Sequence, residues 1–426
     1  MNCILSFPAK AMLCPFHTPS PSMDSVTGDC TLYWSVGDQI KFGTMEDLFL
    51  SYNASEDKSL FKVLSAKSGP NTNRIMSAQN MDVCFADIKG VFYHGIKPVW
   101  KMTLHNGKTI GVTKDHSIFY GKYYDSQIEA IPLFELGERA NVVSIDEYDL
   151  QIPSTSGYNN DFLAFMGLWM ADGSYYKTYN KIDQKRRLYG VGISTGNNPA
   201  VIEWMTNFAR KFPPSLGYKF GYDGRSLLST SKKGDMCLVR KSLATIIFSM
   251  FGEVDSYTKR VPKFVFTESE QNVAAFLRGY FTGDGSVWAR VGRGYYEVAC
   301  ASVNRELLED ISILLHRLVI KHVISEPYKN GKLAYPSKKL QYKLYIGDEH
   351  SREKFMNKVG FIKACVYKKR ENFVGRHCMK GLRSISLRGI RKLEYVGEKP
   401  VYDISVAGTQ AFIANGILCH NTHSGE

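Results

Sequence analysis

The chain has 426 residues, with 54 Lys and Arg against 41 Asp and Glu, a formal net charge of +13. That length exceeds one ordinary hydrophobic core, so two or more domains are expected, and the basic excess favours a polyanionic partner. No apolar run approaches the ~18 residues of a membrane span, the first 24 residues lack an apolar h-region, and nine cysteines without a CxxC pair argue against a disulfide framework or zinc site and for a reducing compartment.

Residues 1–24 hold several prolines and no periodic run, so no independent fold is expected there. From Ser25 to about Val143 the pattern is β-rich. LYWSVGDQIKF and WKMTLHNGKTIGVT read as alternating strands around tight turns, with Asn106-Gly107 as a hairpin signal. IKGVFYHGIKPVW (Ile88 to Trp100) is then echoed by IRKLEYVGEKPVY (Ile390 to Tyr402), with Tyr93, Gly95 and Pro98 matching Tyr395, Gly397 and Pro400. Two copies of one β unit near opposite ends imply a single β domain with pseudo-twofold symmetry and an insertion between them.

The insertion, about 155–384, differs in character. QNVAAFLRGYFT and NRELLEDISILLHRLVI carry helical spacing of apolar residues, and YEVACAS and LQYKLYIG read as strands. Basic clusters recur at Lys185-Arg186-Arg187, Lys232-Lys233, Lys338-Lys339 and Lys368-Lys369-Arg370. A second repeat pairs FMGLWMADGS (Phe165 to Ser174) with RGYFTGDGS (Arg278 to Ser286). Each is a helix end with small residues four apart, Gly167 and Ala171 in one, Gly279 and Gly283 in the other. Such residues share a helix face and let two backbones approach, bringing Asp172 and Asp284 side by side. Adjacent carboxylates suit a divalent cation such as Mg²⁺, and metal-assisted phosphodiester hydrolysis suits a basic domain. One Asp-Gly is common at turns; two copies in a basic insertion carry the signal.

This pair resembles the double motif of LAGLIDADG homing endonucleases over most of 155–384. The resemblance implies that Asp172 and Asp284 bind metal at the scissile phosphates of double-stranded DNA with a long recognition site. KRVPKFV (Lys259 to Val265) is similar to the family's lysine-bearing segment and makes Lys259 an active-site candidate; an exposed loop lysine is the plain alternative.

An endonuclease inside a symmetric β domain with reactive ends resembles an intein. VYDISVAGTQAFIANGILCHNT (Val401 to Thr422) is similar to the last two intein motifs almost throughout. An Asn side-chain amide can attack its own main-chain carbonyl, so Asn421 would cyclise, with His420 as general acid. Thr422 would receive the upstream segment on its hydroxyl, and Asp403 would position or deprotonate that nucleophile. GVTKDHSIFY (Gly111 to Tyr120) resembles the Thr-x-x-His motif, in which Thr113 and His116 polarise the N-terminal scissile amide and protonate its nitrogen. Two nucleophiles compete for the first position. With Ser25 first, Leu32 falls at the eighth place, where the resembled family has an apolar strand residue; with Cys30 first, Gly37 does. Ser25 is therefore taken as the nucleophile and Cys30 as a packing residue.

The expected architecture is an all-β, pseudo-twofold Hedgehog/intein-type splicing domain interrupted by an α+β endonuclease domain. Its parts are a flank at 1–24, splicing segments at 25–154 and 385–421, the endonuclease at 155–384 and a flank at 422–426. Splicing needs no cofactor, the nuclease needs Mg²⁺, and the host segments act in cis. A cytoplasmic monomer without a membrane partner is expected. The flanks are too short for a working host, and the MDT junction they would form resembles a family B DNA polymerase metal site. Gln410 departs from the pattern, standing where many inteins have histidine. A free-standing homing endonuclease and a Hedgehog-type autoprocessing domain are the alternatives, and Asn421-Thr422 argues against the latter.

Overall fold

The computed structural model describes residues 25–68, 81–122, 127–136, 140–148, 150–153, 156–180, 185–211, 228–230, 235–238, 241–290, 295–329, 332–333, 341–362 and 385–421. Thr422, both flanks, Lys232-Lys233, Lys338-Lys339 and Lys368-Lys369-Arg370 lie outside these residues. Lys185-Arg186-Arg187 falls on the strand Lys185–Ser194.

Two long strands, Met81–Leu104 and Ile385–Val406, pair antiparallel along most of their length. They contain the two echoed sequences, and their register accounts for the echo. Tyr395 faces Trp100 while Tyr402 faces Tyr93; Glu398 faces Pro98 while Pro400 faces Ile96; Glu394 faces Lys101 while Asp403 faces Phe92. In each case the equivalent positions of the two copies exchange places, so the pairing is symmetric about Lys97 and Lys399, which face each other. Gly95 and Gly397 take φ of +83° and +89° beside one-residue shifts in the register. A bulge needs one residue in a conformation that glycine adopts without steric cost, so both copies keep glycine there.

Around this pair the rest of a 12-stranded sheet system assembles. Val26–Thr27 sits between the two halves, with Val26 facing Tyr402 on one side and Val112 on the other. At the opposite end, Ala411–Ala414 and Ile417–His420 form a hairpin beside Ser117–Gly121 and Asn141–Ile145. Its two-residue turn, Asn415-Gly416, has φ of 48° and 73°, the primed geometry that matches strand twist. Helix α1 (Met45–Ala54) begins at a capping box in which Thr44 and Asp47 accept each other's backbone N–H.

The insertion is built twice from the same order of elements. Its first half runs α2 (Asn160–Asp172), two strands, α3 (Pro199–Lys211), two strands and α4 (Lys241–Phe251). The second runs α5 (Glu270–Asp284), two strands, α6 (Arg305–Arg317), further strands and α7 (Glu349–Lys358). Each half makes a four-stranded sheet whose first strand follows directly on α2 or α5. The repeat seen in ten residues of sequence therefore extends over the whole insertion.

The halves meet where α2 crosses α5. A Cβ added to Gly167 would lie 1.9 Å from the Phe276 carbonyl oxygen, and one on Gly279 would lie 1.8 Å from that of Ala164. Backbone touches backbone, so the small residues are a steric requirement. One buried apolar cluster surrounds this crossing and continues through Tyr33, Leu64, Val143, Tyr148, Ile385 and Ile413 of the β domain. A second, including Leu32, Trp34, Leu48, Ile110, Ile404 and Phe412, fills the β domain itself. The two units also meet through Phe42 stacked at 4.1 Å on Phe266, and through Lys263, 2.6 Å from Asp47. Among the described residues no helix is long and apolar enough to cross a membrane.

Gly279→Ala should destabilise the insertion by at least ~1–3 kcal/mol, because a rigid carbonyl, not a flexible side chain, occupies the added volume. Urea denaturation measures this; a midpoint shift worth under ~0.5 kcal/mol would contradict the backbone contact.

Candidate functional site

Ser25 is completely buried although it opens the β domain. Its carbonyl accepts a hydrogen bond from the Thr113 N–H at 3.0 Å, with Thr113 Oγ1 at 3.5 Å, and the next residue, Val26, is held between strands. Its Oγ lies 2.8 Å from His94 Nδ1. His116 follows Thr113 in a turn closed by its own N–H donating to the Thr113 carbonyl at 3.2 Å. Its ring is fully buried, 6.5 Å from that of Phe412.

Cys30, the rival nucleophile, is also buried. Burial, and then the Asp29 charge, push its thiol up to about 12, which leaves it protonated at neutral pH. It packs with Sγ 3.3 Å from Thr27 Oγ1 and near the Gly111 carbonyl, and Leu32 is in the core.

At the other end, Asn421 is 2% exposed and its N–H donates to the Gln410 carbonyl at 3.1 Å. Gln410 takes φ of 49°, so the position where a histidine was expected contributes a backbone acceptor in a left-handed turn. His420 pairs with Ala411, and its ring lies 5.7 Å from Phe119. Asp403 is buried, and its carboxylate accepts from the Ile404 N–H at 2.8 Å. It follows Tyr402, the residue opposite Val26, so the strand register brings Asp403 beside Ser25. Asn415 joins the ends directly: its Oδ1 accepts from the Thr31 N–H at 2.7 Å and its Nδ2 donates to the Thr109 carbonyl at 2.9 Å.

The second centre lies where α2 and α5 end. The Asp172 carboxylate reaches across to the other helix: a Cβ on Gly283 would be 2.6 Å from its Oδ2, and Asp284 is the next residue. Lys259 is buried and donates to the carbonyls of Gly173 at 2.9 Å and Trp169 at 3.2 Å. Burial lowers its ammonium pKa, while Asp284 and Asp172 oppose that shift, so all three groups converge on one spot. Two carboxylates from two helix ends fit a hard cation that completes its shell with water and phosphate oxygens. Among the described residues no cluster of three His, Cys, Asp or Glu side chains could hold a metal by itself.

Two groups were missed by sequence reasoning. One is His94. Its counterpart in the echo is Val396, so a polar residue in only one copy of a repeat was the available signal. The other is a buried charge network. Asp146 accepts from Arg388 at 2.7 Å and from Ser386 Oγ at 2.7 Å, and Lys108 Nζ lies 3.4 Å away. Lys108 also donates to the Ile145 carbonyl and to that of Gly416. Burial alone would raise the Asp146 carboxyl, but Lys108 and Arg388 hold it well below the usual carboxylate range. Burial pulls Lys108 down to about 8 against the Asp146 charge. No spacing rule links these residues; only folding joins them.

Asp146→Asn should cost ~3–5 kcal/mol, since it strands Lys108 in the interior and leaves the partly exposed Arg388 without its carboxylate. The depressed carboxyl contributes stability that is present above the ordinary range near ~4 and lost as pH falls further. Denaturant melts at pH 7 and pH 3 should show a larger loss in the parent than in the variant, which keeps other depressed carboxylates such as Asp47. Equal acid sensitivity in both would remove Asp146 as its source.

Residues 271–360, spanning α5 to α7, match the model of the LAGLIDADG-like domain. The chain is 27% identical over 422 residues to a DNA polymerase of Thermococcus hydrothermalis, covering 94% of this chain and 23% of the polymerase. It is 26% identical over 345 residues to the alpha subunit of a Bacillus subtilis ribonucleoside-diphosphate reductase, covering 76% of this chain and 30% of the reductase. The chain thus spans less than a third of either relative. The crystal structure of a DnaB intein from Synechocystis sp. PCC 6803 matches with a TM-score of 0.29 at 10% identity, covering 94% of this chain and 99% of that one.

Proposed function

We propose that this chain is an intein: its β domain excises itself from a host protein, and its insertion is a homing endonuclease. The observation that carries this reading is the Ser25 carbonyl, held by Thr113 with His116 one turn away, in the sheet system whose last strand ends at His420, next to Asn421. The relatives add independent support. A polymerase and a reductase share no activity, so a segment common to both is an element that can leave its host.

Ser25 Oγ attacks the carbonyl carbon of the preceding residue, the C–N bond breaks, and an ester replaces the amide. Thr113 holds the Ser25 carbonyl, one peptide after the scissile bond, and so fixes the nucleophile, and His116 delivers the proton to the departing nitrogen. The Thr422 hydroxyl, assisted by Asp403, then takes over the acyl group. The Asn421 side-chain amide attacks its own carbonyl and releases Thr422 as a succinimide forms, with His420 supplying the proton. The freed Thr422 amine finally captures the ester to leave a peptide. The buried Asn421 backbone, held by Gln410, restricts the side chain to conformers from which cyclisation can occur.

In the insertion, Asp172 and Asp284 would hold Mg²⁺, which supplies Lewis-acid activation of a phosphodiester. Lys259 provides positive charge beside those carboxylates. The two four-stranded sheets offer a surface for duplex DNA, and the net charge of +13 favours phosphate contacts. The host is a nucleotide-processing enzyme of the polymerase kind.

Asn421→Ala should abolish C-terminal cleavage and ligation while hydroxylamine-sensitive ester at Ser25 still forms. Intact mass of the chain between folded flanking domains reads both; persistent ligation would refute the role of Asn421. Asp172→Asn combined with Asp284→Asn should remove Mg²⁺-dependent DNA cleavage and leave splicing intact. Loss of splicing in a variant that keeps the parent circular dichroism would show that the two centres are not independent.

A further inference from the structure

We propose that His94 is the base that takes the proton from the Ser25 hydroxyl in the first acyl shift. This inference rests on the splicing reading above.

The geometry is specific. His94 Nδ1 is 2.8 Å from Ser25 Oγ, within range of direct proton transfer. Neither partner is loosely placed. Ser25 is fixed by the Thr113 hydrogen bond to its carbonyl and by the Val26 pairings that follow it. His94 stands in the one-residue bulge beside Gly95, and its ring lies parallel to Phe92, 15° off and 6.3 Å between centroids. Bulges re-aim side chains out of the ordinary alternation. The symmetry-related bulge beside Gly397 carries Val396, which has no proton chemistry. The two halves of the fold thus share a backbone device, and only the half beside the nucleophile puts an imidazole in it.

The protonation state agrees. Burial and the Lys97 charge bring the imidazole down to about 4 against the pull of Asp115, so it is neutral at pH 7. In the Nε2–H tautomer, Nδ1 accepts from the hydroxyl. A serine needs this help because its hydroxyl is a far weaker acid and a weaker nucleophile than a thiol.

The step balances. The Oγ–H bond breaks and its electron pair forms the bond to the carbonyl carbon of the residue before Ser25, while the proton passes to His94 Nδ1. The C–N bond breaks and the nitrogen leaves as the Ser25 amine, with a proton from His116. His94 returns its proton to solvent and His116 regains one, so amide and hydroxyl become ester and amine with no net change in protons.

The test uses the full chain between flanking domains with Asn421→Ala, so that hydroxylamine-driven N-terminal cleavage reports the first step alone. His94→Gln should slow that cleavage by ~10²-fold or more when position 25 is serine. With Ser25→Cys at pH 8.5, the same His94→Gln change should cost less than ~10-fold, because a thiol is far more acidic and nucleophilic than a hydroxyl and depends less on a base even where burial raises it. Fast cleavage in the Ser25→Cys, His94→Gln double variant would also demonstrate that the chain folds without His94. Equal losses with serine and cysteine would overturn the proposal in favour of packing, and an undiminished rate with serine would overturn it outright. Ser25→Ala separates the two levels. If cleavage persists in it, the splicing reading and this inference fall together; if it is silent while His94→Gln is unaffected, only the inference fails.

Discussion

The antiparallel pairing of Met81–Leu104 with Ile385–Val406 is the constraint on which the molecule depends. These strands are separated by the whole insertion, yet their register is symmetric about Lys97 and Lys399. A one-residue slip would turn every core side chain of one strand to the opposite face. The two glycine bulges pin the register, and with it everything the strands position: Val26 against Tyr402, His94 against Ser25, and Asp403 beside them. Long-range pairing of this kind also brings side chains far apart in sequence, such as Ser25 and His94, into contact.

The insertion applies the same logic with helices. Two related halves meet at a crossing that admits no Cβ at Gly167 or Gly279, and the distance of closest approach is set by backbone atoms. That contact fixes the ends of α2 and α5, and so the place where Asp172, Asp284 and Lys259 converge. Both domains are therefore internally duplicated, and in the insertion the candidate carboxylates come from corresponding ends of the two copies.

The units are packed together and not merely tethered. The apolar cluster around α2 and α5 runs on into the β domain, and the buried Lys108–Asp146–Arg388 network ties the strands flanking the insertion to the carbonyl of Gly416, four residues before His420.

Much was legible in the sequence because it is repetitive and local. The echo of IKGVFYHGIKPVW in IRKLEYVGEKPVY showed a duplicated β domain, since backbone devices such as the glycine bulge recur wherever the fold does. Gly167 and Gly279, four residues before their small partners, announced a close helix crossing by spacing alone. Ser25, Thr113, His116, His420 and Asn421 could be named from motifs, and Leu32 favoured Ser25 over Cys30 because it falls where the resembled family has an apolar strand residue. What the tertiary structure alone decided are relations between residues with no fixed separation. The contact of His94 with Ser25 spans 69 positions, and that of Asp146 with Arg388 spans 242. Sequence periodicity reports the geometry of one element; a proton acceptor or a counter-ion is supplied by whichever strand the sheet register brings alongside, and that register exists only once the chain has folded.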